Sequence, residues 1–555
     1  MSATFPPGSR VVAVLAAAAL ALGTLTMSAG GAAAKPPKPA PGKPKPAPTG
    51  LVGSTLYVNP LSSTLEAAQS LTGQARADAQ LLASFPSATW FTSGTPTEVR
   101  KEVHAVVTAA AKAGKMPVLV AYNLPFRDCA QYSAGGALDT AAYKAWIDGF
   151  AAGIGNRPAT VILEPDGVGI IPHYTTLDNN TEWCQPAELD PATAASERYV
   201  QLNHAVDALK AKPKVSVYLD GTSSAWLNVG EVSDRLIKAG VQRADGFYLN
   251  ASNYQFTTNQ VVFGTWVSQC IAYASVVQPY VPGAPGSPGA FGECGNQYWN
   301  GGPATDWQGV AMSPYGEWTP DNADPALNTT GVDSRYASQL GSVVPTTHFV
   351  IDTSRNGLGP WQYPVGEYPA HEDWCNPPDR GLGARPTTTT GIDLVDALLW
   401  IKVPGESDGN CYRGTAGPLD PARGIEDPDA GQWFAVQARE LIELANPPVA
   451  PLTCDVKVIS KKLGKKGFVS LLTVRNLGTE KLKPWQLSWT APEGQKSVKV
   501  AGMKVKQSGD TVVVSPRKAR ATLKPGARVT LVVAGKGSPG AAWQYLLNGR
   551  ACTSR

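Results

Sequence analysis

Between Leu51 and Pro447 the chain alternates short apolar runs with longer amphipathic stretches. Pro117-Val-Leu-Val-Ala121, Val161-Ile-Leu163, Val215–Leu219, Gly246–Asn250, His348–Asp352 and Leu398–Val403 read as strands. They are apolar on nearly every residue, the pattern of a parallel sheet covered on both faces. Ala141–Ile154, Ala192–Ala211 and Val232–Ala239 carry apolar residues at helical spacing between them. This alternation predicts an α/β domain over residues 50–447, built on a parallel barrel or a doubly wound sheet. After the joint at residues 448–453, the period shortens to two. Turn pairs at Asn476–Gly478, Ser508-Gly509, Pro525-Gly526 and Asn548-Gly549 punctuate residues 454–555, which predicts a small all-β sandwich.

Polar residues gather where the strands end. Tyr122, Arg127 and Asp128 follow one run, Glu164 and Asp166 the next, and then come Asp220, Asn250 with Asn253, Asp352 with Arg355, and Lys402 with Glu406 and Asp408. In a parallel barrel such ends converge on one face. Pro165 cannot continue a ladder, so Glu164 and Asp166 are both expected at the mouth of the sheet. Several acids around an aromatic-rich mouth suit glycoside hydrolysis. That reaction needs one protonated acid and one carboxylate that activates water or attacks carbon. Burial or a neighbouring carboxylate keeps the acid protonated. Fifteen Trp and eighteen Tyr supply flat surfaces for sugar rings.

The N-terminus reads as an export signal over residues 1–34, with Arg10, the apolar run Val11–Leu25 and the small residues Ala32–Ala34. No later apolar run is expected to be long enough to span a membrane. Residues 35–49 form a Pro/Lys-rich spacer. A secreted, extracellular protein is therefore expected, with its eight cysteines in disulfides. Cys270 and Cys294 flank the Pro/Gly-rich loop Pro282–Gly289, and Cys454 and Cys552 are placed to staple the two ends of the sandwich. Without a CxxC pair, HExxH spacing or a phosphate loop, no metal, cofactor, nucleotide or nucleic acid is expected. The formal charge of +4 hides an asymmetry: residues 451–555 hold 20 Lys+Arg against 4 Asp+Glu, a net +16, whereas 51–450 carries −17. A surplus of that size predicts attraction to anionic cell-wall polymers.

Four ordered motifs make the large domain recognisable. Val120-Ala-Tyr122-Asn-Leu-Pro125-Phe-Arg127-Asp128-Cys129 with Ser133 resembles one signature of glycoside hydrolase family 6, and Val161-Ile-Leu-Glu164-Pro165-Asp166 resembles the other. Trp374-Cys375-Asn376-Pro377 and Trp400-Ile-Lys402-Val-Pro404-Gly405-Glu406-Ser-Asp408-Gly409 are similar to two further stretches of that family. The resemblance implies a distorted seven-stranded parallel α/β barrel and an inverting cleavage of β-1,4-glucan. It further implies Asp166 as general acid, Asp128 as the neighbour that raises its pKa and holds a water chain, and Asp408 as the candidate base. Tyr122 and Ser133 would place water and sugar, and Trp226, Trp374, Lys402 and Glu406 would bind the chain, with Asn253 beside them. Cys129–Cys184 and Cys375–Cys411 would be the family's two loop-pinning bridges. The sequence departs at Ser223, where some members carry His, and at Val229, where some carry a second Trp.

The loop after Arg127-Asp128-Cys129 looks short and the one after Asp408 (Tyr412–Ala430) longer, so an open cleft and internal cutting are expected. The function read from the sequence is a secreted endo-β-1,4-glucanase. The alternatives are a cellobiohydrolase acting at chain ends and a non-hydrolytic glucan-binding protein. The C-terminal domain is similar to a family 2 carbohydrate-binding module through Val474-x-Asn476-x-Gly478, Trp485-x-Leu-x-Trp489, Pro525-Gly526 and Asn548-Gly549. It looks degenerate, because the three positions of that family's exposed aromatic row hold Gly464, Ala501 and Ala519. Trp485 and Trp489 are expected in its core, leaving Trp543 as a surface ring.

Overall fold

The computed structural model describes residues 50–279, 289–464, 466–492, 494–517, 522–540, 542 and 544–554. The export signal, the Pro/Lys spacer, most of the loop Pro282–Gly289, Ala519 and Trp543 lie outside the described residues.

Seven parallel strands pair in chain order: β1 (Thr89–Phe91), β2 (Val118–Ala121), β3 (Ala159–Leu163), β4 (Val215–Asp220), β5 (Gly246–Leu249), β6 (His348–Asp352) and β7 (Val395–Leu399). The sheet curls without closing into a ladder. Across the gap, Ala88 N–H donates to the Trp400 carbonyl at 2.9 Å and the Trp90 indole N–H to the Ile401 carbonyl at 2.8 Å. Side-chain alternation divides the strands between two cores. Leu119, Ala121, Val161, Leu163, Val217, Leu219, Phe247 and Phe349 pack under the helices. Val120, Tyr122, Ile162, Tyr218, Tyr248, Val350 and Ala397 fill the inside of the curl.

The first strand, β1, was not legible as one, since three residues show no period. The last begins at Val395 rather than Leu398 and stops at Leu399. There the Asp352 carboxylate accepts the N–H groups of Ile401 and Lys402 at 3.2 and 2.9 Å and turns the chain into the cleft.

The helices are α1 (Ser63–Ser70), α2 (Gly73–Leu82), α3 (Pro96–Ala113), α4 (Thr140–Ile154), α5 (Ala194–Lys210), α6 (Val229–Ala239), α7 (Thr257–Ala272), α8 (Thr330–Leu340) and α9 (Ala435–Glu443). Their ends follow local chemistry. A Thr95–Glu98 capping box with Pro96 at the first position opens α3, and Asp139 and Asn228 cap α4 and α6. One expectation about length fails. The stretch Thr257–Val277, α7 and its wide-turn continuation, is 21 residues, by length and composition enough for a span. It is a core helix here, with Phe263, Trp266, Val267 and Ile271 almost wholly buried against the sheet.

Among its described residues the C-terminal module has nine strands, β8 (Cys454–Leu463), β9 (Gly467–Asn476), β10 (Leu487–Thr490), β11 (Lys496–Val500), β12 (Met503–Ser508), β13 (Thr511–Pro516), β14 (Arg528–Lys536), β15 (Tyr545–Leu547) and β16 (Arg550–Ser554). Two antiparallel halves, β11-β14-β9-β8 and β16-β15-β10-β13-β12, meet at a short parallel pairing of β16 with β8. Phe468, Leu472, Leu531 and Val533 from one half share a core with Trp489, Val512, Val514 and Tyr545 from the other, and Trp485 is buried there too. The module touches the large domain at α2, where Gln80 donates to Ser554 Oγ at 2.8 Å and accepts the Ser554 N–H at 2.9 Å.

Candidate active site

The strand ends leave a cleft of about 890 Å³. Its wall holds Tyr122, Asp128, Ser133, Asp166, Trp226, Asn253, Trp374, Lys402, Glu406 and Asp408 together. The backbone there is left-handed at several side-chain-bearing residues. Phe126, Asp128 and Cys129 have φ of 51°, 55° and 45° after β2, and Glu164 and Asp166 have 52° and 63° after β3. Such conformations cost of order 1–3 kcal/mol each and persist where the surroundings enforce them.

Those dihedrals part Glu164 from Asp166. Glu164 does not reach the mouth of the sheet. It is fully buried, and its Oε2 accepts the N–H groups of Asn123 and Leu124 at 2.8 and 3.1 Å, tying the β2 turn to the β3 turn. Burial pushes its carboxyl up to about 7. Asp166 faces the cleft. Burial first, then the charges of Asp128 and Asp220, push its carboxyl well above the ordinary carboxylate range, against the Tyr122 hydroxyl and Lys402. Asp128 is raised by burial to about 6, against the Ser133 N–H that donates to its Oδ2 at 2.7 Å. Arg127 makes no ion pair with Asp128. Its guanidinium donates to the carbonyls of Thr92, Tyr122 and Ser133 and lies 4.7 Å from the centre of the Tyr122 ring.

Asp408 has a different environment. Arg355 donates to both of its oxygens at 2.8 and 3.0 Å, and Lys402 Nζ stands 3.2 Å from Oδ1. The Asn376 N–H and the Tyr254 hydroxyl add bonds of 3.0 and 3.1 Å to Oδ2. Burial alone would raise this carboxyl, but Arg355 and Lys402 outweigh it and hold it below the ordinary value. Lys402 thus pairs with Asp408 and not with Glu406, whose carboxylate accepts from the Ser63 hydroxyl at the start of α1.

The remaining wall is aromatic. Trp226 lies against Gly169, where a Cβ would sit 2.5 Å from its ring, so this approach requires glycine. Trp374 packs on Tyr132 with ring centres 5.9 Å apart. Trp90, Trp183 and Asp220 also line the cleft, and Arg355 and Tyr254 hold Asp408; none of these five stood among the candidate site residues. Arg355 and Asp220 were visible as strand-end polar residues, and Trp90 sits on the three-residue strand that has no periodic signal.

Four disulfides close the structure, Cys129–Cys184, Cys270–Cys294, Cys375–Cys411 and Cys454–Cys552. The first pins the turn after Asp128 and the third joins the Trp374 segment to the loop after Asp408. Those two loops also touch, because the Tyr412 N–H donates to the Tyr132 hydroxyl at 3.1 Å.

Known proteins share this arrangement of sequence. Residues 454–552 match the family model described as cellulose binding domain. Endoglucanase A of Thermobispora bispora is 28% identical over 84% of this chain and 86% of its own. Endoglucanase 1 of Streptomyces halstedii is 32% identical over 66% of this chain and 85% of its own. Among solved structures, the endoglucanase Cel6 of Mycobacterium tuberculosis is 31% identical, with a TM-score of 0.48 over 70% of this chain and 97% of that one. The family model described as glycosyl hydrolases family 6 matches residues 51–445, the whole of the domain that carries the cleft. Through that match the chain belongs to glycosyl hydrolase family 6.

Proposed function

We propose that the protein is an exported, inverting endo-β-1,4-glucanase acting on cellulose or related β-glucans. The observation that carries this reading is Asp166 on the cleft wall beside Asp128, where burial and the neighbouring carboxylates favour its protonated form. In an inverting cleavage an acid protonates the leaving glycosidic oxygen while a base takes a proton from a water on the opposite face of the sugar, with the two carboxyls about 6.5–9.5 Å apart. Asp166 takes the acid role, because burial and the charges of Asp128 and Asp220 push its carboxyl upward and favour the protonated form.

Asp408 accepts four hydrogen bonds, three of them on Oδ2, and the Lys402 ammonium stands 3.2 Å from Oδ1. Held between two cations that keep its carboxyl below the ordinary value, Asp408 is assigned as the anion that holds Arg355 and Lys402 in place. Asp128, at about 6, is ionised at neutral pH, and no described residue donates to its Oδ1. It is the group assigned to accept the water's proton, through intervening water at Ser133. Trp226, Trp374, Asn253, Lys402 and Glu406 form the wall along which the glucan lies, and Tyr122 faces the ring that reacts.

Internal cutting is supported by the short stretch between Cys129 and α4, and by relatives named endoglucanases in Streptomyces halstedii and Thermobispora bispora. The Tyr132–Tyr412 contact between the two loops favours the other reading, a chain-end enzyme. Viscosity and reducing ends followed together on carboxymethylcellulose decide between them. The expected result is a viscosity fall well ahead of reducing ends. Proportional change with cellobiose as the first product makes it a cellobiohydrolase, and no new reducing ends make it a binding protein. Export is supported by the leader-like N-terminus and the four disulfides.

The C-terminal module is assigned to an anionic polysaccharide rather than to crystalline cellulose. Gly464 and Ala501 are exposed and offer no ring where stacking would be needed, while 20 Lys+Arg face 4 Asp+Glu over residues 451–555.

A further inference from the structure

The alternation that buries Phe468, Ser470, Leu472, Val474 and Asn476 of β9 turns Gly467, Val469, Leu471, Thr473 and Arg475 outward. Register then lines them up with their neighbours on β8 and β14. Five rows cross the sheet: Asp455–Arg475–Arg528, Lys457–Thr473–Thr530, Ile459–Leu471–Val532, Lys461–Val469–Ala534 and Leu463–Gly467–Lys536. On the β14 side, β11 adds Lys499 opposite Ala534 and Lys496 opposite Lys536. The middle row is a strip of exposed aliphatic side chains, Ile459, Leu471 and Val532, at 51%, 43% and 42% exposure. Exposed cations stand on both sides of it, and Asp455 is the one acid in these rows.

This pattern works against the sheet's own stability. Arg475 stands opposite Arg528 and Lys496 opposite Lys536, and like charges directly opposite each other are destabilising by some tenths of a kcal/mol. No ion pair joins two described residues of the module. Every ion pair among the described residues lies between Asp78 and Glu443. A face on which no described lysine or arginine forms an ion pair with a described acid favours an anion supplied from outside.

We propose that the outward face of β8, β9, β14 and β11 binds a linear, carboxylate-bearing polysaccharide along the Ile459–Leu471–Val532 strip. This rests on the reading of the module as a polyanion binder and gives that reading a place. Rows two residues apart are about 6.8 Å apart along a strand, so the aliphatic strip is as narrow as a sugar ring. The apolar face of a pyranose packs on it while carboxylates reach Lys457, Arg475 and Arg528 on one side and Lys461, Lys499 and Lys536 on the other. Gly464 follows β8, and Ala501 donates its N–H to the Val532 carbonyl, so both lie at the margin of this face. A single-stranded nucleic acid would call for rings on which bases stack, and these rows contain no aromatic residue.

The test uses the full chain and polygalacturonate, with binding read by affinity electrophoresis at ~0.1 M salt and again at ~1 M, where screening lengths are about 10 and about 3 Å. One variant replaces four face cations, Lys457→Gln, Lys461→Gln, Arg475→Gln and Arg528→Gln. A charge-matched control replaces Lys481→Gln, Lys483→Gln, Lys504→Gln and Lys506→Gln, all exposed and outside these rows. Removing four exposed cations from the face should weaken binding about ten-fold, against less than about three-fold for the control. Both should still cleave soluble β-glucan. Equal losses of affinity in the two variants overturn the face while leaving the polyanion reading intact. No retention of the unaltered chain at low salt overturns that reading as well. Tighter binding to single-stranded DNA than to polygalacturonate overturns the carboxylate polymer as occupant. If the four-fold face variant melts earlier than the control, Lys457→Gln with Lys461→Gln alone is read in the same way.

Discussion

Replacing Asp408 with Asn separates a base from a buried anion. The substitution keeps the shape and removes the charge that faces Arg355, which is fully buried, and Lys402, which is nearly so. At an effective dielectric near 20, one close pair contributes about 4 kcal/mol of attraction, part of which offsets desolvation. Removing one partner of a buried pair costs roughly 3–5 kcal/mol, because the cation left behind stays buried. Against a total of about 5–15 kcal/mol, that is a large fraction of the domain's stability. The pH dependence has a definite sign. Asp408 has a depressed carboxyl, so its contribution is present above the unfolded value near 3.9 and is lost as pH falls through the folded one. The deficit of Asp408→Asn should therefore be full at pH 7 and shrink in acid.

Activity should fall as well, for an electrostatic reason. Lys402 already pulls the Asp166 carboxyl down, and without Asp408 its charge acts uncompensated. The alkaline limb of the rate profile, where Asp166 loses its proton, should move to lower pH. Urea unfolding of the full chain followed by Trp fluorescence, alongside pH–rate profiles with and without azide, measures both effects. A stability loss under ~1 kcal/mol would show that the cations do not depend on Asp408. Rescue by azide with the inverted α-glycosyl azide as product would restore Asp408 as the base.

Asp166→Ala should lower turnover on unactivated glucan by about 10²–10⁴ and have far less effect on aryl cellobiosides with good leaving groups, which need little protonation; equal losses would remove Asp166 as the acid. NMR of freshly cleaved cello-oligosaccharide should show the α-anomer first, as an inverting enzyme requires, and β-anomer first would contradict the reaction course.

The strands of the large domain were legible because a sheet covered on both faces needs apolar residues throughout, and β2, β3, β4 and β5 are buried at every position. What escaped was whatever depends on three dimensions. Glu164 and Asp166 are two residues apart and look alike in sequence. Only their left-handed backbone sends one into the core and the other into the cleft. The apolar stretch Thr257–Val277 has the composition of a membrane span, and only the sheet packed against it makes it a core helix.

Asp408 illustrates the same limit in its chemistry. Its motif announces a carboxylate at a strand end, but the groups that donate to it come from Arg355, Asn376 and Tyr254, between 32 and 154 residues away. A local motif cannot count donors of that kind, so it cannot tell a base from a counter-ion. The C-terminal module adds the converse case. Its charge surplus is a sum over residues and was plain in the sequence, whereas a face is a matter of parity and register. Shifting β8 by one residue against β9 would carry Lys457 and Lys461 inward and Val456 and Val458 outward, with the same net charge. Such a strand would bury lysines beside Phe468 and Leu472, so the hydrophobic core sets the register, and through it places the cations on one surface.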